Sequence, residues 1–185
     1  MRLRMLAAHH MDNARKLFTQ RGMYGYVGSY NGIEIAAISC GFGEASAKLY
    51  LAEACELGGG NFIYLGECVS LSPKVPLMEV LYADGSSERI LNKARPEAKK
   101  RGVALYAARV HTDDAYWLTG KVPEGAVIVD FVSRGFLETA GDLGAEAFVL
   151  LTVCENAATN EAVHESQRQS GFHAASLLAF ETFGS

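Results

Sequence analysis

The chain has 185 residues, 17 Lys and Arg against 21 Asp and Glu for a net charge of −4, and a composition that is 49% hydrophobic and 21% charged. That balance excludes an intrinsically disordered chain and a basic nucleic-acid binder, and a chain of this size buries roughly two-thirds of its unfolded surface, which points to one globular domain over residues 1–185. No apolar run reaches the roughly 20 residues of a membrane span, and the opening MRLRMLAAHHMDNAR lacks the apolar stretch and small-residue cleavage site of a secretory leader. The expectation is a cytoplasmic protein with neither membrane nor nucleic-acid partners.

Tyr24 to Tyr30, the dipeptide Asn31-Gly32 and Ile33 to Ile38 predict a hairpin, because both turn residues tolerate positive φ. Tyr24, Tyr26 and Tyr30 fall on alternate positions and so share a face that is either core or interface. Gly41-Phe42-Gly43-Glu44 breaks the strand and opens a helix from Ala45 to Leu57, with Ala47, Leu51, Ala54 and Leu57 at helical spacing and Gly58-Gly59-Gly60 as its stop. Phe62 to Gly66 follows as a strand, an order that suggests a βαβ crossover in a parallel sheet. Val75 to Tyr82 reads as a strand ended by Asp84-Gly85, and the charged span Ser87 to Arg101 as a surface helix kinked or started at Pro96.

Val103 to Val110 resumes the strand pattern. Ala126 to Val129 and Ala147 to Val153 are near-continuous apolar runs, as expected of strands covered on both faces, with a helix from Arg134 to Leu143 between them. Glu161 to Phe183 fits a long terminal helix carrying Phe172, Ser176, Ala179 and Phe183 on one stripe. The fold class is α/β with a mixed sheet between helices.

Cys40, Cys55, Cys68 and Cys154 are widely spaced with no CxxC pair, so they read as small buried hydrophobes in a reducing compartment. There is no HExxH, and the adjacent His9 and His10 cannot share a face, so no metal site is expected. Gly41-Phe42-Gly43 lacks the GxGxxG spacing, and Ser133 and Ser170 lack a GxSxG setting. Lys99-Lys100-Arg101 reads as a solvated helix end.

Several segments, in order along the chain, resemble the nucleoside phosphorylase family, above all its bacterial hexameric purine nucleoside phosphorylases. Arg21 to Tyr30 looks like RGMLGFTGTY, and Gly41 to Ser46 is similar to GMGxxS. Leu65-Gly66-Glu67-Cys68 sits where the family has VGSCG, Thr112 to Trp117 where it has SADLFY, and Val129 to Val132 where it has VEME. Gly144 to Ala147, Thr152 to Glu155 and Arg168-Gln169 fall where it has GAKA, TVSD and RQ.

The resemblance implies a three-layer αβα sandwich with a mixed central sheet, a homo-oligomer (dimer or hexamer), and cleavage of a nucleoside's N-glycosidic bond, with phosphate as co-substrate and no further cofactor. It implies Glu155 as the general acid, at the place of the family's Asp, with Arg168 as its partner. Phe42, Glu67, Cys68, Tyr116, Phe131 and Val132 fall on substrate-binding positions, Tyr116 and Phe131 around the base. The phosphate and ribose positions depart from the pattern: Ala8 to Asp12 stands where the family has its GDPxR loop, Tyr64 where it has a second phosphate Arg, Glu67 where it has a Ser, and Val132 where it has the ribose-binding Glu. Losing two guanidinium groups and gaining a carboxylate disfavours an anion. Two alternatives therefore stand beside phosphorolysis of a purine or pyrimidine nucleoside: a nucleosidase in which Glu67 orients water, and a nucleoside- or base-binding protein without turnover. The loss of length relative to the family falls at the start of the chain, after Leu71, and around Leu118 to Glu124.

Overall fold

The structure, a computed structural model, describes residues 2–170 and 172–185; Met1, Gly171 and the side chains of Arg2, Trp117, Leu118, Gln169 and Ser170 lie outside the described residues. The elements in chain order are α1 (Arg2–His10), β1 (Asp12–Gln20), β2 (Met23–Tyr30), β3 (Ile33–Ile38), α2 (Glu44–Glu56), β4 (Asn61–Ser70), β5 (Val80–Ala83), α3 (Glu88–Lys100), β6 (Tyr106–Ala108), β7 (Val110–Thr112), α4 (Tyr116–Thr119), β8 (Ile128–Asp130), α5 (Ser133–Asp142), β9 (Glu146–Asn156), β10 (Glu161–Ala162), α6 (Glu165–Ser170) and α7 (His173–Gly184).

Period-two alternation along the two central strands builds the layers. On β9, Val149, Leu151 and Val153 face one core with α2 and α5, through Ala47, Leu51, Phe136 and Ala140. Phe148 and Leu150 face the opposite core with α3 and α7, through Ile90, Leu91, Ala94, Ala175 and Leu178. On β4, Tyr64 and Cys68 join the first core, and Ile63 and Leu65 the second. A strand covered on both faces has no polar side to show, which explains the nearly continuous apolar run of β9. The result is a mixed sheet between two helical layers, as expected.

The sheet order is β6-β5-β9-β4-β8-β7, with β10 beside β9. Strands β4 and β9 are parallel, whereas β5 runs antiparallel to β9 and β8 antiparallel to β4. The two edge strands, β6 and β7, are separated in the chain by Arg109 alone. Laid flat, six strands would put those edges about 24 Å apart, whereas two residues of chain reach about 7 Å. The sheet therefore curls until its edges approach each other.

The Asn31-Gly32 hairpin forms as expected, with φ of 50° and 79° at its turn, the signs a two-residue type I′ turn requires. The expected βαβ crossover does not: β2 and β3 belong with β1 to a separate three-stranded sheet, so α2 links two sheets. The polar segment ahead of the hairpin supplies β1, exposed along nearly its whole length, and α1. That helix and the hairpin pack on α7 around Ala7, Met11, Ile35 and Phe180, with Tyr26 and Tyr30 in the same cluster. Those two tyrosines are thus core contacts within the chain.

Other boundaries differ as well. The span Val75 to Tyr82 forms a strand only from Val80. Val103 to Val110 divides into β6 and the first residue of β7, where the chain crosses between sheet edges. Ser87 caps α3 by accepting from the Ile90 amide at 3.3 Å, so the helix starts there and carries Pro96 inside it. The terminal helix is interrupted as β10, α6 and α7, and its apolar stripe survives on α7, where Ser176 and Ala179 are buried and Phe183 is partly so. Cys40, Cys55, Cys68 and Cys154 carry thiols that are in no disulfide among the described residues. Among the described residues no helix is long and apolar enough to cross a membrane.

Candidate active site

Parallel strands end together, and the C-terminal halves of β4 and β9 open onto a cleft of about 370 Å³. Open α/β sheets bind ligands at such ends because the loops that follow diverge there. The walls are the Gly41-Phe42-Gly43 turn before α2, the β4 segment Tyr64 to Val69, Phe131 and Val132 after β8, Cys154 and Glu155 near the end of β9, and Arg168 from α6.

Local sequence shapes each wall. Gly41 and Gly43 hold φ of 80° and 86°, and a Cβ on Gly43 would lie 2.9 Å from an oxygen of Asp114. The turn therefore requires glycine for both conformation and space. Beyond it, the Glu44 amide donates to the Asp114 carboxylate at 3.3 Å. In the β4–β9 ladder Cys68 pairs with Val153 and Val69 with Glu155, so Cys154 is an extra, bulged residue. A bulge bends its strand and redirects the side chains beyond it, and here the next residue is Glu155.

Glu155 and Arg168 come together: Nη2 of Arg168 donates to Oε1 of Glu155 at 2.5 Å. A Glu67 oxygen lies 3.9 Å from Nε of the same guanidinium, and that Nε is buried with no hydrogen-bond partner among the described residues. Burial works against the charge of Arg168, yet the Glu155 hydrogen bond and the two carboxylates outweigh it and hold the guanidinium protonated above its ordinary range. Elsewhere in the lining, the Phe42 and Phe131 rings lie 4.8 Å apart, tilted by 34°. Phe42 is 64% exposed, which leaves an aromatic surface open at the cleft mouth.

Of the residues singled out from the sequence, Phe42, Glu67, Cys68, Phe131, Val132, Glu155 and Arg168 all line this cleft, as does Tyr64. Tyr116 stands on the short helix α4, outside the lining. Ala8 to Asp12 runs from the end of α1 into β1 and contributes nothing to the lining. Burial, with the nearby Asp130, Cys154 and Glu67 adding to it, pushes the Cys68 thiol well above its ordinary range, so Cys68 is a wall and not a nucleophile. Val69 and Cys154 are among the lining residues that were not named as site residues from the sequence, and the bulge that sets Cys154 leaves no mark in an apolar run. Among the described residues no group of His, Cys, Asp and Glu has the arrangement of a metal site.

No protein-family model matches the chain. Individual relatives do. The chain is 26% identical over 209 aligned positions to a purine nucleoside phosphorylase of the DeoD type from Aliivibrio salmonicida, covering 98% of this chain and 89% of that protein. It is 26% identical to one from Bacillus velezensis and 25% identical to one from Caldanaerobacter subterraneus, each covering 98% of this chain and 90% of the relative. Over nearly its whole length the chain is similar to purine nucleoside phosphorylases of the DeoD type. Tyr64, Glu67 and Val132, three positions at which the sequence differs from the pattern it resembles, all line the cleft.

Proposed function

We propose that this chain cleaves the N-glycosidic bond of a purine nucleoside with phosphate as the acceptor, using Glu155 as the acid that protonates the departing base. The observation that carries the reading is the Glu155–Arg168 contact of 2.5 Å beside an aromatic wall at the ends of two parallel strands. As the bond between the sugar carbon and the base nitrogen stretches, its electron pair passes to the base and positive charge develops on the sugar. A proton from Glu155 to a ring nitrogen of the base neutralises the leaving group, and Arg168 stabilises the carboxylate left behind. A phosphate oxygen then forms the new bond to the sugar carbon. Phe42 and Phe131 offer a flat surface to the base, and stacking of this kind contributes about 1 to 3 kcal/mol per base elsewhere.

A second reading, with water as the acceptor oriented by Glu67, is favoured by the charges around the cleft. Its lining carries two carboxyl side chains, Glu67 and Glu155, against one guanidinium, Arg168. The amides that open α5 are already used: Ser133 donates to Asp130, Arg134 to the Thr112 hydroxyl and Gly135 to Glu44. A helix N-terminus spent on protein oxygens offers little to phosphate.

The deciding experiment is chromatography of base release from purine and pyrimidine nucleosides, with and without phosphate. Release that needs phosphate and yields a sugar phosphate supports phosphorolysis; equal release without phosphate, yielding the free sugar, transfers the reading to hydrolysis. Base binding with no release from any nucleoside overturns both and leaves a binding protein.

A further inference from the structure

Asp130 ends β8 with its side chain 1% exposed and lies outside the cleft lining. A carboxylate buried to that degree is costly unless its oxygens are satisfied, and burial does push its pKa above the ordinary carboxylate range. Both oxygens are satisfied. Oδ1 accepts from the Thr112 hydroxyl at 2.8 Å. Oδ2 accepts from the Ser133 amide at 2.8 Å, the Ser133 hydroxyl at 2.6 Å and the Val132 amide at 3.2 Å.

The two amides bound by Oδ2 belong to the two residues that directly follow Phe131, so the carboxylate reaches over that residue and closes a turn around it. Thr112, on the edge strand β7, also accepts from the Arg134 amide at 3.0 Å. The first turn of α5 is thereby tied to two strands, and the backbone of Phe131 has little freedom. Phe42 is mostly exposed, and its recorded ring partner is Phe131, so the same turn sets the whole aromatic wall.

We propose that Asp130 is a positioning residue: through the turn it closes over Phe131 it fixes the aromatic wall against which the base stacks. This rests on the nucleoside-cleaving reading above. Because the wall touches the base before and during bond cleavage alike, its displacement weakens binding and leaves the chemical step unchanged. In Asp130→Asn one oxygen is replaced by a donor facing other donors, so either the turn amides or Thr112 lose their acceptor.

The test is a direct titration with adenine as probe, beside steady-state kinetics on a purine nucleoside. Asp130→Asn raises the adenine Kd and the nucleoside KM about tenfold with kcat held within about twofold. Ser133→Ala, which removes one donor and leaves the carboxylate, raises both about threefold and serves if the Asn variant does not fold. A merely structural role would lower the active fraction, and so the apparent kcat, without moving Kd. In a Phe131→Ala background, Asp130→Asn adds nothing further to Kd, since it acts through that ring. Wild-type Kd in both variants, or an effect that persists in the Phe131→Ala background, overturns the inference alone. A wild-type protein that neither binds adenine nor releases base overturns the functional reading, and this inference with it.

Discussion

Replacing Glu155 by Gln removes the transferable proton and leaves the shape of the cleft. The amide oxygen still accepts from Arg168, which donates to the same position at 2.5 Å in the native pair. Both partners are between a quarter and a third exposed, at 28% and 30%, so weakening the pair costs the fold at most about 1 kcal/mol. The chemical step is another matter. General acid catalysis contributes about 10² to 10⁴ in rate, equivalent to about 3 to 5 kcal/mol of barrier. The informative assay compares two substrates. An ordinary purine nucleoside needs a proton on its departing base, whereas an N7-methylated purine nucleoside carries a positive base that departs neutral without one. Glu155→Gln should lower kcat by about a hundredfold or more on the first and by less than about fivefold on the second. Equal losses on both substrates would refute the assignment of Glu155 as the acid, and so would a variant that keeps full activity on the ordinary nucleoside.

Three further outcomes follow from the same geometry. Glu67→Ser removes a carboxylate from the cleft, and the KM for phosphate in base release should fall about tenfold as like-charge repulsion is relieved; a collapse of phosphate-independent release instead would favour water as acceptor. Phe148, fully buried with its ring 5.8 Å from Tyr82, should cost about 3 to 5 kcal/mol on truncation to Ala, a loss of about 10 °C or more in Tm by calorimetry. Glu181 has its pKa lowered from 4.5, first by the Arg101 hydrogen bond. Its contribution is therefore present above the unfolded value near 4.5 and lost as pH falls through the folded one. In a series of melts from about pH 7 down to about 3, Glu181→Gln should lower Tm at neutral pH and flatten the acid limb, so that the variant and wild-type melts converge near the acid end; an unchanged acid limb would exclude the pair as a source of acid lability.

The strands of the central sheet were legible wherever one physical signal dominated. A run from Ala147 to Val153 whose one polar residue is Thr152 has few uses other than a strand covered on both sides, and β9 is one. The Asn31-Gly32 turn was equally plain, because few dipeptides accept positive φ at both positions. Features that depend on distant pairing left no such trace. The crossing at Arg109 between the two sheet edges, the break ahead of α7 and the bulge at Cys154 are consequences of where partners sit in space. The polar strand β1 has almost no buried face, so hydropathy could not mark it.

The site was readable to a different degree. Seven of the eight residues named from the sequence line the cleft together with Tyr64, because the family resemblance carries spatial information that composition does not. Tyr116 was named on the same ground, and the chain instead places it on α4. The buried network of Asp130, Thr112 and Ser133 could not be read in advance: nothing in the string Val129-Asp130-Phe131-Val132-Ser133 says that the Asp side chain turns back over Phe131.

The most direct measurement is a time course of free base from a purine nucleoside in phosphate buffer, with wild-type protein beside Glu155→Ala and Arg168→Ala at equal folded concentration. Wild-type release that falls at least about a hundredfold in Glu155→Ala, and less steeply in Arg168→Ala, is the outcome the account predicts. Wild-type release undiminished in both variants, or no release by the wild-type protein, would contradict it.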